Sequence, residues 1–229
     1  PEHFCPGKWA RWARIRFKNS AVFEKEKKPG VIFEIEIRHM RHTTDRIQKV
    51  QSVPFNRSYW VVPGKFLAGC YPGSENKDEA HLKLKALLDH GIRHVIDLME
   101  PGELNWSKKG FRPYAPHMKR LAEAAGIEVT FDRMAIKDRW IPSRLDMCRI
   151  LDRIDQCIQD HRPVYIHCWG GIGRTGTVVG CHLARHGYAS GQKVIELIKN
   201  FRKNTEDHNQ PSPETWEQIE MVVSWVETE

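Results

Sequence analysis

The chain has 229 residues, 40% of them hydrophobic, which is enough for one large domain or for one domain with an appendage. Its 36 lysines and arginines exceed its 29 aspartates and glutamates, and this excess favours anionic partners without choosing among phosphoprotein, lipid and nucleic acid. The six cysteines lack the paired spacing of a disulfide or zinc framework, and no apolar run is long enough for a membrane span, so we expect neither.

The first 54 residues differ from the rest in composition. Two segments with a two-residue hydrophobic period, Arg14–Lys18 and Val31–Arg38, flank the turn signal Lys28–Gly30. We therefore predict a basic β-hairpin extension over residues 1–54. The interleaved aromatic and basic side chains leave an arm that lies on a membrane surface or on nucleic acid as the alternative.

From residue 55 onwards, short apolar segments predict strands and segments with helical spacing predict the helices between them. Because strands and helices alternate, we expect a central, mostly parallel sheet flanked by helices, in one domain over residues 55–229. The predicted elements are two short strands within Tyr59–Ala68, a helix over Lys77–His90, a strand over His94–Leu98, a helix over Pro116–Ala125, a strand over Glu128–Phe131, a helix from the Ser143 cap to Gln159, a strand from Val164, helices over Thr175–His186 and Gly191–Phe201, and a last helix that follows the segment Gln210–Gln218.

The stretch Val164–Gly176 combines a buried strand, a glycine-rich loop and the start of a helix. Such a loop leaves backbone N–H groups unpaired at the positive end of the helix dipole, which makes a cradle for an anion. Cys168 lies at the base of the loop, where the same N–H groups favour the reactive thiolate. Arg174 closes the rim, because a guanidinium can bind two phosphate oxygens in a fork. The stretch therefore predicts a nucleophile that faces a bound phosphate.

Three other interpretations of this loop are open. Gly171–Gly176 has the glycine spacing of a dinucleotide fingerprint, which also requires a second strand ending in an acid, whereas Gln192–Phe201 has helical spacing. A nucleotide phosphate loop requires lysine at the position of Arg174. The least specific interpretation is a structural turn with a buried cysteine, and it gives no role to the acidic loop upstream.

That second loop lies thirty residues before Cys168. Cleavage of a phosphate ester requires protonation of the leaving oxygen, which a carboxylic acid on a mobile loop can provide and a thiolate cannot. Asp138 lies on such a loop, four residues before Pro142. Asp132 competes for the role, but it directly follows a predicted strand, so we prefer Asp138.

Both motifs resemble those of the cysteine-dependent protein phosphatase superfamily, His-Cys-x5-Arg-Thr/Ser with an upstream Asp-x-x-x-Pro acid loop. The resemblance covers roughly residues 55–226, and the loop is especially similar to that of the dual-specificity and kinase-associated phosphatase branch. It implies a protein tyrosine phosphatase-like α/β fold and metal-independent hydrolysis through a phosphocysteine intermediate. The matching residues are His167, Cys168, Arg174, Thr175, Asp138 and Pro142.

These observations assign a role to each residue of the predicted site. We expect Cys168 to act as nucleophile and Asp138 as acid and then as base. We expect Thr175 to hydrogen-bond the sulfur and His167 to brace the loop from behind without proton transfer. The predicted phosphate-binding residues are Trp169, Gly170, Gly171, Ile172, Gly173 and Arg174.

Two further positions are weaker candidates. Gln218 matches the second glutamine of a segment that positions the hydrolytic water in tyrosine-specific relatives, whereas Glu214 departs from the first. Asp97 or Glu103 is placed to orient Arg174 from behind, since both lie at or beyond the carboxyl end of a strand. A helix cap or a solvated loop acid is an equal alternative for these two.

The function predicted from the sequence is a dual-specificity or tyrosine protein phosphatase that needs no cofactor and no metal. Its substrate is a phosphorylated protein or peptide, and no nucleic acid partner is expected. A catalytic thiolate implies a reducing compartment, so we expect a cytoplasmic location. Basic Lys137 and Arg139 on the acid loop keep a phosphoinositide or inositol phosphate substrate as the first alternative. A non-catalytic phosphate-binding module is the second, and it would need neither the thiol nor the acid.

Overall fold

The computed structural model of the chain describes residues 52–226, so the predicted N-terminal hairpin lies outside the described residues. Five strands and six helices form this range: two strands come first, helices and strands then alternate, and three successive helices follow the last strand. The strands are β1 (Ser58–Val62), β2 (Phe66–Gly69), β3 (His94–Asp97), β4 (Thr130–Arg133) and β5 (Val164–His167). The helices are α1 (Lys77–Asp89), α2 (Ala115–Ala124), α3 (Arg144–Gln159), α4 (Gly173–Arg185), α5 (Gln192–Arg202) and α6 (Trp216–Val223).

The five strands form one sheet in the order β1-β2-β5-β3-β4. Only β1 runs antiparallel to its neighbour, so the predicted mostly parallel sheet is confirmed. The central strand β5 pairs with β2 on one side and β3 on the other, and His167 is level with Gly69 and Asp97. Residues that follow β5 therefore emerge at the middle of the carboxyl edge, where parallel sheets place ligands.

Successive side chains of a strand point to opposite faces of the sheet. Both faces carry buried apolar side chains here, and helices cover both. On one face, Phe66 and Ile166 belong to a core that includes buried residues of α3, α4, α5 and α6. On the other face, Leu67 and Tyr165 pack with buried residues of α1 and α2. Within residues 52–226, none of the helices is both long and apolar enough to cross a membrane.

The observed boundaries differ from the predicted ones most clearly at β4. This strand begins two residues later than predicted and contains Asp132, which was expected to follow it. Its register opposite β3 explains the difference, since Asp97 lies opposite Arg133 and the two side chains form an ion pair at 2.8 Å. Helix α4 also begins earlier than predicted, at Gly173 instead of Thr175. The loop of residues 168–174, called the phosphate loop below for its predicted role, therefore ends in helical residues.

Candidate active site

Cys168 is the first residue after β5 and is 3% exposed. Its backbone N–H lies beyond the end of the strand and donates to Oγ1 of Thr175, in the first turn of α4, at 2.9 Å. The prediction paired the Thr175 hydroxyl with the Cys168 sulfur, and the structure corrects this partner. The hydroxyl instead closes the loop by joining its first residue to the helix that follows it.

Three carbonyl groups of the loop are held by residues outside it. The Trp169 carbonyl accepts from the Tyr71 backbone N–H at 3.0 Å, and the Gly170 carbonyl accepts from the Arg57 guanidinium at 2.9 Å. The Ile172 carbonyl accepts from the Ser212 hydroxyl at 2.8 Å. In a trans peptide the N–H of the next residue points the opposite way, so these contacts turn N–H groups towards the inside of the loop.

The N–H of Gly171 points to the inside of the loop, where it donates to Sγ of Cys168 at 3.3 Å. Gly171 has φ of +74°, and a Cβ added there would lie 2.5 Å from the backbone carbon of Gly69. Only glycine fits both this backbone conformation and this close approach to β2. The loop therefore has the shape of an anion cradle with a sulfur at its base.

His167 lies behind the loop and is fully buried. Its Nδ1 is 3.2 Å from the Cys168 carbonyl oxygen, which can only accept, so Nδ1 carries the proton. Its Nε2 is 2.6 Å from the Tyr114 hydroxyl, and burial raises the pKa of that tyrosine well above its usual value, so the hydroxyl donates. Burial lowers the pKa of His167, and the ring is a neutral link between Tyr114 and the loop.

Arg174 is 2% exposed, and Glu103 holds its guanidinium in two contacts, at 2.6 and 2.8 Å. The Ile136 carbonyl oxygen lies 3.1 Å from the same group. Burial alone would lower the pKa of Arg174, but the hydrogen bonds that it donates to Glu103 and the nearby acidic groups raise it above its usual value. Of the two candidate acids, Glu103 contacts Arg174, whereas Asp97 binds Arg133.

Asp138 reaches the same guanidinium from the acid loop. Its Oδ1 lies 2.9 Å from Nη2 of Arg174, and its side chain is 46% exposed. Asp132 instead faces Arg153 at 2.5 Å and His94 at 3.2 Å, on a different part of the sheet edge. The structure thus brings Asp138 to the phosphate loop, and Asp132 is occupied elsewhere.

The acid loop is attached to the start of α6 through Gln218, which is fully buried. The Gln218 side chain accepts from the Glu214 and Thr215 backbone N–H groups at 3.1 and 3.2 Å and donates to the Trp140 carbonyl at 3.2 Å. A Cβ added at Gly173 would lie 3.0 Å from the carboxamide oxygen of Gln218. Gln218 therefore contacts the acid loop, the phosphate loop and the start of α6 together.

Two of the residues that hold the loop were not singled out from the sequence. Arg57 binds the Gly170 carbonyl and also lies 3.3 Å from Asp207. Ser212 binds Ile172. No local pattern marks either contact, because each joins residues more than 35 positions apart.

Aromatic side chains surround the outer side of the loop. The ring of Trp169 lies 5.2 Å from that of Trp106 and 5.6 Å from that of Phe111. Trp106 is 80% exposed and offers a free aromatic surface beside the phosphate loop. The basic residues of the acid loop are engaged, since Lys137 lies 4.6 Å from the Trp140 ring centre and Arg139 lies 3.5 Å from Glu214.

Residues 71–188 match the family described as "Polymorphic toxin system, DSP-PTPase phosphatase". The chain belongs to this phosphatase family. It is 29% identical to cyclin-dependent kinase inhibitor 3 of Sus scrofa over 143 residues, which cover 60% of this chain and 64% of that protein. It is 28% identical to dual specificity protein phosphatase CDC14A of Homo sapiens over 165 residues, which cover 69% of this chain and 24% of that protein. The chain thus spans less than two thirds of the length of either relative.

Solved structures share the fold of this DSP-PTPase phosphatase domain. Kinase associated phosphatase, with its catalytic cysteine replaced by serine, has a TM-score of 0.55 at 22% identity, over 75% of this chain and 93% of that one. PTPMT1 has a TM-score of 0.53 at 19% identity, over 73% of this chain and 92% of that one. The predicted protein tyrosine phosphatase-like architecture and dual-specificity branch are therefore confirmed.

Proposed function

We propose that this protein is a dual-specificity or tyrosine protein phosphatase that hydrolyses phosphomonoesters through a phosphocysteine intermediate. Membership of the phosphatase family supports the reaction class. One observation carries the assignment of residues: the sulfur of Cys168 lies at the base of the cradle, while Arg174 at its rim contacts both Glu103 and Asp138. A nucleophile, a phosphate-binding cation and an acid from a second loop thus meet at one site. The catalytic domain in this proposal is residues 55–229.

In the first step, the phosphoryl oxygens accept from the loop N–H groups and from Arg174. The Cys168 thiolate attacks phosphorus, the bond to the leaving oxygen breaks, and that oxygen takes a proton from Asp138. The Asp138 carboxyl group must leave its contact with Arg174 to reach the leaving oxygen, and its 46% exposure permits this movement. Backbone dipoles and one buried cation stabilise the equatorial oxygens, and this step uses no cofactor.

In the second step, Asp138 takes a proton from water as the water attacks the phosphocysteine. The phosphorus–sulfur bond breaks, phosphate forms and the thiolate returns. We assign Thr175 and His167 supporting roles, because they hold the Cys168 backbone from two sides. Gln218 lies against Gly173, which supports a role beside the attacking water. A persistent thiolate requires a reducing compartment, and we place the activity in the cytoplasm.

The surroundings of the loop favour a phosphorylated peptide over an inositol phosphate as substrate. A polyanionic ring requires several free cations, but Lys137 packs on Trp140 and Arg139 pairs with Glu214. The exposed Trp106 beside Trp169 instead suits an apolar or aromatic side chain of a peptide. Phosphoinositide hydrolysis is therefore the second candidate, and it would require Lys137 and Arg139 to leave these contacts and bind the extra phosphates.

The decisive experiment compares Asp138→Asn with Asp132→Asn in the full chain. Asp138→Asn should lower turnover of a phosphotyrosine or phosphoserine peptide by roughly 10²–10⁴-fold, because these leaving groups require a proton. With a fluorinated phenyl phosphate, whose leaving group needs no proton, the loss should be much smaller. Asp132→Asn is the matched control and should leave this leaving-group dependence unchanged. The reverse pattern would show that the acid has been assigned to the wrong loop.

A second variant tests the nucleophile. Cys168→Ser should abolish hydrolysis of an aryl phosphate while retaining vanadate binding, because the cradle and Arg174 remain. Retained turnover in this variant would contradict the covalent mechanism. Equal activity of the wild type on phosphopeptides and on phosphoinositide vesicles would favour the second candidate. An inactive wild type that binds vanadate would favour a phosphate-binding module.

A further inference from the structure

Three side chains that bind metals in many proteins converge at the carboxyl-terminal end of α4. His182 lies in the last turn of this helix, His186 is its C-cap residue one turn further along, and Asp155 faces them from α3. One potential ligand atom from each residue lies within 4.8 Å of those from the other two. Residues four positions apart project from the same face of a helix, so both rings are presented to one carboxylate.

The Nδ1 atom of His182 is the unusual member of this cluster. The side chain is 2% exposed, and Nδ1 has no hydrogen-bond partner among residues 52–226. The nearest oxygen of Asp155 lies 3.7 Å away, which is too far for a hydrogen bond. A buried polar atom without a partner costs free energy, and such an atom in a folded protein calls for an explanation.

Asp155 divides its two oxygens between different neighbours. Oδ1 faces the histidines, at 2.8 Å from Nε2 of His186 and 3.7 Å from Nδ1 of His182. Oδ2 faces Nε of Arg185 at 3.7 Å. The positive charge of Arg185 opposes a nearby cation, but its guanidinium also lies 2.5 Å from Asp152, which offsets that charge. Oδ1 is thus hydrogen-bonded to His186 on the histidine side, a contact that a shared metal ion would replace.

We infer that Asp155, His182 and His186 form a binding site for one divalent transition-metal ion, with Zn²⁺ as the best match. Zinc binds imidazole nitrogen and carboxylate oxygen at about 2.0–2.2 Å, which places tetrahedral ligands about 3.3–3.6 Å from one another. The separations of 2.8 and 3.7 Å around Oδ1 lie on either side of this range, so small rotations suffice. The helix dipole also favours a cation at this end of α4.

The site is separate from the phosphate loop, although the same helix begins there. His182 follows Arg174 by eight residues, or about 12 Å of helix. Three protein ligands leave a fourth position for water on the side of His186, which is 39% exposed. The metal would join α3 to α4 and satisfy the Nδ1 atom of His182. It has no part in the phosphatase reaction, which is proposed to be metal-independent.

Cobalt and zinc titrations of the full chain test this inference, after removal of metals with a chelator. Cobalt should give the visible absorption of a tetrahedral site without the near-ultraviolet band of a cobalt–thiolate bond, which separates this site from the cysteines. Calorimetry with Zn²⁺ should give one equivalent. At a hundredfold excess over the dissociation constant, Zn²⁺ should raise the melting temperature by about 5 °C or more.

His186→Ala is the principal variant, because the exposed position of His186 allows the change without disturbing the core. It should weaken zinc binding at least about tenfold and remove the melting-temperature shift, since changes even to residues that only support ligands cost 10–100-fold. His81→Ala is the matched control, because His81 and His117 form another close pair, at 3.4 Å, on the exposed surface. This control should bind zinc like the wild type.

Equal zinc affinity in the wild type and folded His186→Ala would overturn the inference. Loss of binding in His81→Ala would likewise overturn it and assign zinc to the other pair. If circular dichroism shows that His186→Ala is unfolded, Asp155→Asn replaces it, since asparagine keeps the shape of the side chain. Unchanged affinity in that variant would overturn the inference as well.

Discussion

The contact between Glu103 and Arg174 gives the sharpest test of how the site is held. Glu103→Gln keeps the size of the side chain but removes its charge and replaces one oxygen with an NH₂ donor. That donor would face the guanidinium, which can only donate. We expect Arg174 to lose at least one of its two contacts, at 2.6 and 2.8 Å, and to be drawn towards Asp138, its remaining acidic neighbour.

The size of the effect follows from burial. The side chains of Arg174 and Glu103 are 2% and 9% exposed, so solvent screens the pair little. Removing one partner of a buried ion pair costs about 3–5 kcal/mol, and the amide oxygen that glutamine retains offsets part of this, so we expect a loss of about 2–3 kcal/mol in unfolding free energy. A displaced phosphate donor costs about 2.7–4 kcal/mol in the transition state, which predicts a fall in kcat of roughly 10²-fold or more.

The assay combines urea denaturation with steady-state hydrolysis of an aryl phosphate at a temperature where the variant is fully folded. Glu100→Gln is the matched control, because Glu100 is exposed and lies three residues away on the same segment. It should change neither quantity. If Glu103→Gln loses stability but keeps kcat within a few-fold of the wild type, the orientation of Arg174 does not depend on Glu103.

Three further changes test other parts of the structure. Arg174→Lys keeps the charge but loses the fork, so kcat on an aryl phosphate should fall on the order of 10²-fold, and near-normal turnover would mean that the guanidinium does not bind phosphate. Gly171→Ala places a Cβ 2.5 Å from the backbone of β2 and should abolish activity, whereas Gly110→Ala, with open space around it in the described part of the chain, should be neutral in the same assay. Burial, aided by Arg153, lowers the pKa of His94 from 6.5 to about 4. Between these pH values His94 therefore binds a proton in the unfolded chain but not in the folded protein. The free energy of unfolding should therefore fall by up to about 3 kcal/mol as the pH drops from 6.5 to 4, and it should fall by less in His94→Gln. If urea denaturation shows the same pH dependence in the wild type and in His94→Gln, the assignment is refuted.

The sequence predicts well those parts of the site that are local in the chain. The loop from Cys168 to Arg174 follows a strand and precedes a helix, so its position at the sheet edge could be predicted from the local pattern. The preference for Asp138 over Asp132 as the acid also rested on the local pattern. The hydrogen-bond partner of Thr175 could not be predicted in this way, because the pattern places its hydroxyl near Cys168 without choosing between the sulfur and the backbone N–H.

Contacts between segments that are distant in the chain could not be predicted from the sequence. Asp97 and Glu103 both follow β3, and only the three-dimensional arrangement gives Asp97 to Arg133 and Glu103 to Arg174. The same arrangement fixes the bounds of β4, since pairing with β3 outweighs the apolar pattern of its own residues. His182 and Asp155 lie on separate predicted helices, and no local pattern indicates that they face each other.

The contacts made by Arg57, Ser212 and Gln218 bear on how the protein can be divided. The family match ends at residue 188, but Ser212 and Gln218 lie beyond it and support both the phosphate loop and the acid loop. On the other side, β1 and β2 precede residue 71, as does Arg57. A fragment trimmed to the matched region would keep Cys168, Arg174 and Asp138 yet lose two of the five strands and the outer contacts of the loop. Limited proteolysis should accordingly yield a resistant core that extends past the match in both directions.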